Sequence, residues 1–169
     1  MKDVLKTLGV LLTGLLVAVL IYPFLHETGH ALFTIFSGAE LHEFHLLPIP
    51  YVVCNVHSTG RGGQCLIGIA GMFFPFLISF LIRGKNFWFW LVSLLIKGIS
   101  ALSFSISYLA VLCYETGIIW PNEDIVRVIQ ISETKSSIWL FFSLVMLCLT
   151  VAIMHFEKPF ERFKKYFEI

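Results

Sequence analysis

His26 and Glu27 are followed by His30 in the stretch FLHETGHALFTIFSG, residues 24–38. A spacing of four puts both imidazoles on one face of a helix, one turn apart. Two nitrogens so placed can bind one Zn²⁺ at about 2.0–2.1 Å each. Glu27 points to the side of that face, within reach of a metal-bound water without being a ligand. This is the HExxH arrangement, in which the glutamate is the general base of a zinc hydrolase. Zinc brings its water to a pKa of about 7 and polarises the scissile carbonyl. The glutamate takes the proton and passes it to the leaving amine. Gly29 leaves room for a neighbouring backbone or for substrate.

The competing reading is a coincidence of residues absorbed by packing. The apolar setting weighs against it, because an ionisable group inside a membrane span costs about 2.5–3.5 kcal/mol on insertion scales. A structural metal site is a further alternative, but it gives Glu27 no task.

Catalytic zinc needs a third protein ligand besides water. The chain has two aspartates, Asp3 and Asp124. Asp3 falls at the far end of the first span from His30. Asp124, in WPNEDIVRVIQ, falls in a connection on the same side as the HExxH turn, so topology selects it, with Glu123 as the alternative. Pro121 and Asn122 read as the start of a short helix, with Asn122 as N-cap and both acids in the first turn. Their bland role there is to complement the helix dipole. His42, His45 and His57 lie in a surface connection and read as solvated. His155 reads as interfacial.

The elements that must hold these groups are spans. Of 169 residues, 57% are hydrophobic and 14% charged, against about 25% charged in soluble domains. Mean hydropathy is +0.85. The expectation is an all-α polytopic membrane protein, a single domain over residues 1–169. Four helices are expected at about 8–36, 65–82, 87–113 and 136–156, each near the 20 or so apolar residues a bilayer requires. The first is read as a retained span and not a cleaved signal. Between the first two spans, LHEFHLL and YVVCNVH flank a Pro-Ile-Pro bend and predict a membrane-surface hairpin at 41–57. The tail from 157 to 169 alternates basic and aromatic residues and is expected at the interface.

Lys2, Lys6, Arg83, Lys85, Lys158, Arg162, Lys164 and Lys165 fall on one side, against Arg61, Arg127 and Lys135 on the other. That bias predicts both termini in the cytoplasm. Lys97, mid-way along the third span, reads first as a lysine that snorkels or faces the bundle interior. The alternative turns it toward the polar site or Glu115. The four cysteines form no CxxC pair. Cys113 and Cys148 read as small hydrophobes. Cys54 and Cys65 flank a loop, and a disulfide between them is the less favoured possibility. A net charge of +1 with no basic stripe argues against nucleic acid as a partner.

The stretch FLHETGHALFTIFSGAELHEFHL resembles the catalytic segment of site-2 protease-type intramembrane zinc metalloproteases. GIAGMFFPFLISFLI, from Gly68, resembles the span that follows it in that family, although here Gly71 and Pro75 are separated. The resemblance covers about half the chain and implies Zn²⁺ as cofactor, His26 and His30 as ligands, Glu27 as catalytic residue, and an aspartate from a later helix. No glycine follows Asp124, which departs from the family pattern.

The expected function is therefore hydrolysis of peptide bonds in membrane-spanning or membrane-adjacent substrates. The hairpin, through Leu41, Phe44, Val52 and Val53, is the candidate surface for an unwound peptide added as a strand. With no recognition domain outside the membrane, substrate choice would fall to the hairpin, the spans or a partner protein. Two rivals are a metal-binding scaffold or regulator of the same fold and a metal transporter or sensor. A transporter needs polar groups continuing across several spans, whereas these cluster at one end.

Overall fold

The computed structural model describes residues 2–46, 48–82, 86–118, 120 and 123–168. The basic residues Arg83 and Lys85, and the helix start expected at Pro121 and Asn122, lie outside them.

The first long helix runs over Lys2–Phe36. It begins earlier than the expected residue 8 and is not uniform. α1 (Lys2–Leu16) passes through a π-helical turn (Val17–Ile21) into α2 (Tyr22–Phe36). Pro23 has no N–H to give to the turn before it. The chain there is wound wider, with the Tyr22 N–H reaching the Val17 carbonyl. Such π-turns recur beside functional sites, and this one stands one turn before His26. α2 ends where Gly38 takes φ +72°, with the Ala39 N–H on the Thr34 carbonyl at 3.0 Å. Glycine supplies that left-handed conformation at no steric cost.

β1 (Glu40–His45) and β2 (Tyr51–Asn55) then form an antiparallel hairpin with a bulge between Leu41 and Glu43. Tyr51 stacks on His45 at 4.4 Å between centroids. An isolated hairpin is marginal in water. This one is tied to the helices, with Thr59 Oγ1 donating to the Ser37 carbonyl at 2.9 Å.

α3 (Arg61–Leu81), α4 (Phe87–Glu115) and α6 (Ser136–Phe156) complete four helices long and apolar enough to cross a membrane. Asn86 caps α4 by accepting the Trp88 N–H at 2.9 Å. Between α4 and α6 stands the short helix α5 (Asp124–Ser132). Its Ile125, Val128 and Ile129 are buried in one cluster with Met72, Phe76, Phe104, Val111, Trp139 and Met146. The tail is also helical: after Lys158 turns left-handed at φ 51°, α7 (Pro159–Glu168) packs Phe163 and Tyr166 on Phe87.

Lys97 faces the bundle interior, 2% exposed. It pairs with Glu157 at 2.5 Å and donates to Ser93 Oγ at 2.8 Å. That settles its orientation in favour of the first reading, with Glu157 and not Glu115 as its partner. Cys54 and Cys65 are free thiols, so the disulfide does not form.

Candidate metal centre

α2 turns His26 and His30 toward α3 and α5, and α5 carries Asp124 to them. His26 Nε2 and His30 Nε2 are 3.2 Å apart. Asp124 Oδ2 lies 3.2 Å from the first and 3.3 Å from the second. Among the described residues this is the group of His, Cys, Asp and Glu side chains that could hold a metal ion. The edge of a tetrahedron with arms of zinc–nitrogen length is about 3.3 Å. The three ligand atoms thus form one face of such a tetrahedron.

The chemistry of the donor set points the same way. His30 Nδ1 lies 2.7 Å from the Ile67 carbonyl. A carbonyl only accepts, so Nδ1 carries the proton, and a neutral ring then offers a lone pair at Nε2. That lone pair faces a carboxylate oxygen and a second imidazole nitrogen. If both Nε2 atoms are protonated instead, two N–H groups confront each other across 3.2 Å. A cation among the three satisfies every edge.

Gly71 supplies the space. A Cβ there would stand 2.7 Å from His26 Nε2 and closer still to His30 Nε2, close to the position an ion bound by both would occupy. Two other glycines bring the helices together. A Cβ on Gly29 would overlap the Ala70 carbonyl oxygen and stand 2.8 Å from Phe74 Cβ. Gly29 therefore admits a neighbouring backbone. Gly68 admits Val128 of α5, whose Cβ is 3.3 Å from the position a side chain would take. Pro75 withdraws the N–H that would have closed on the Gly71 carbonyl.

These groups open into a cleft of about 690 Å³, whose lining includes Glu27, Val52, Val53, Cys54, Ser103, Ser107 and Arg127. Glu27 faces the Val52 backbone N–H on β2. Leu41 and Phe44, on β1, do not line the cleft. His45 sits beside Glu43 at 3.5 Å on the exposed hairpin, away from the metal group together with His42 and His57.

Asp124 is outside the long helices. Burial raises its pKa, but the close approach of His26 and His30 outweighs that and holds the carboxyl well below its ordinary range. Glu123 moves the other way, raised by burial against the hydrogen bonds it accepts from Ser107 and Val126. The sequence leaves Glu123 open as a ligand and places it in the first turn behind an Asn122 cap. Its carboxylate is instead engaged as the N-cap of α5, accepting the Val126 N–H at 2.8 Å and the Ser107 hydroxyl.

Sequence reasoning missed Ser103, which lines the cleft, and Tyr22, whose buried hydroxyl shares a hydrogen bond of 2.8 Å with it. The signal was present: Tyr22 precedes His26 by one turn, on the same face. Comparison with protein-family models, curated proteins and solved structures finds no match to this chain.

Proposed function

We propose that this chain is a membrane-embedded zinc endopeptidase, of the site-2 protease kind its HExxH stretch resembles. It hydrolyses peptide bonds of membrane-spanning or membrane-adjacent substrates. The observation that carries this is the triangle of His26, His30 and Asp124 ligand atoms, 3.2–3.3 Å on each edge, with Glu27 in the same cleft. When bound, zinc supplies a Lewis acid that activates water near neutral pH and polarises a carbonyl. His26, His30 and Asp124 hold it, and the Ile67 carbonyl fixes the tautomer of His30.

Glu27 is the proton carrier. It accepts the proton of the attacking water at its carboxylate and gives it to the departing amine nitrogen. β2 borders the cleft and presents its backbone there, which suits a peptide that must first leave its helix. An extended substrate can pair with such an edge while the side chains of Val52 and Val53 set its register. The four membrane-length helices support the bilayer as the site of action, with the scissile bond brought to the cleft from within or beside it.

Glu27→Gln tests this reading. The variant is expected to keep zinc at the wild-type stoichiometry and to lose turnover. Proteomic comparison of membranes carrying wild type and variant should show fragments unique to the wild type. Identical fragment sets would instead favour a scaffold or regulator that keeps the ion without using it.

A further inference from the structure

Asp124 reaches the histidines from a nine-residue helix that begins at Asp124 itself. Nothing N-terminal to it in that helix holds the carboxylate in place. The residue before it does. Glu123 Oε2 accepts the Val126 N–H at 2.8 Å, closing the first turn of α5. Glu123 Oε1 accepts the hydroxyl of Ser107 on α4. Ser107 is 1% exposed and its Oγ also lies 3.0 Å from Met72 Sδ on α3. One carboxylate therefore ties the start of α5 to the face of α4 that lines the cleft.

Beyond its first turn α5 is held by apolar contact, which is non-directional, and its other polar ties, Ser132 through Thr134 to Trp139 and Glu133 to Arg61, lie at the far end from Asp124. Burial of Ile125, Val128 and Ile129 sets how deep the helix sits, but does little to oppose a small rotation or slide. A shift of a few tenths of an ångström would break the triangle of ligand atoms. The Glu123–Ser107 hydrogen bond opposes that motion at the one end where it matters.

We propose that Glu123 is a positioning residue for the metal, acting through Asp124 by clamping the first turn of α5 to Ser107. This inference rests on the zinc reading above. Glu123 itself does not touch the ion, since the Asp124 oxygen is the one that completes the triangle.

The test is zinc affinity by chelator competition on detergent-purified protein, together with turnover. Groups hydrogen-bonded directly to a metal ligand are typically worth 10–100-fold in affinity, and Glu123, one bond further out, belongs at the lower end of that range. Glu123→Ala is expected to weaken zinc by a factor in that range. Ser107→Ala, which leaves the α5 cap in place, should fall between wild type and Glu123→Ala. Glu123→Gln is expected to recover most of the loss. Its amide oxygen can still accept from Val126, and its amide N–H can reach Ser107.

In the double variant Ser107→Ala/Glu123→Ala the loss should not exceed that of Glu123→Ala, because both remove the same hydrogen bond. Wild-type affinity in Glu123→Ala or in Ser107→Ala would overturn the clamp. So would a Glu123→Gln variant as weak as Glu123→Ala. If wild type itself binds no zinc, the parent reading fails instead. If Glu123→Ala does not fold, Ser107→Ala and Glu123→Gln decide the matter.

Discussion

A methyl group at position 71 would stand close to where the ion is proposed to sit. Gly71→Ala therefore separates metal binding from folding. Alanine is the better helix former by about 1 kcal/mol, so α3 should hold its helicity by circular dichroism. Metal analysis of the purified variant should nonetheless find zinc lost. A variant with full zinc would show that the ion is not held beside Gly71. The imidazole pair was legible in the sequence because a spacing of four has one meaning on a helix. Asp124 was legible because the only other aspartate falls at the wrong end. The role of Gly71 was hidden, since a missing side chain leaves no signal until the facing helix is in place. Glu123 was open between ligand and complement to the helix dipole, and its role as cap was hidden because these differ only in where one carboxylate turns.

At the scale of elements, the hairpin was readable from two β-prone runs about a Pro-Ile-Pro bend. The strands observed, Glu40–His45 and Tyr51–Asn55, fall close to the expected range. Which strand faces the cleft was not readable, because that depends on how the hairpin folds back onto α2. The structure gives β2 that position, with the Val52 N–H toward Glu27. Val52→Pro deletes that N–H and disturbs the edge offered to substrate. It should suppress cleavage of every substrate while zinc content stays at the wild-type level. Phe44→Ala, on the strand away from the cleft, should leave cleavage intact. Equal activity in wild type and Val52→Pro would remove the hairpin from the mechanism. The π-turn before His26 was invisible because VAVLI is apolar on every side, so the phase shift of one extra residue moves no polar stripe. The short helix α5 was legible, but its start was expected one residue early, with Asn122 as cap where Glu123 holds that position; its burial against α3 and α4 follows from Ile125, Val128 and Ile129 recurring at helical spacing.

Across the whole molecule, the long-range tie is Lys97 with Glu157, sixty positions apart in sequence. No local pattern could pair them. Removing one partner of a buried ion pair costs about 3–5 kcal/mol, whereas replacing both by apolar groups is often neutral. Lys97→Met should lower the melting temperature in detergent, and Lys97→Met/Glu157→Leu should recover it. The same end of the bundle brings the termini together, with Lys6 Nζ donating to the Tyr166 carbonyl at 3.0 Å. Four membrane-length helices in succession also return the chain to the side where it started. The proposal that this side is cytoplasmic rests on the basic residues, eight against three. A cysteine-free variant carrying Lys2→Cys, Gly117→Cys or Glu168→Cys singly tests it with a membrane-impermeant thiol reagent on intact cells. Position 117 should label, and positions 2 and 168 should label only after the membrane is opened. The opposite pattern would turn the cleft toward the cytoplasm and change which substrates can reach Glu27, because the hairpin and α5 lie at the same end as position 117.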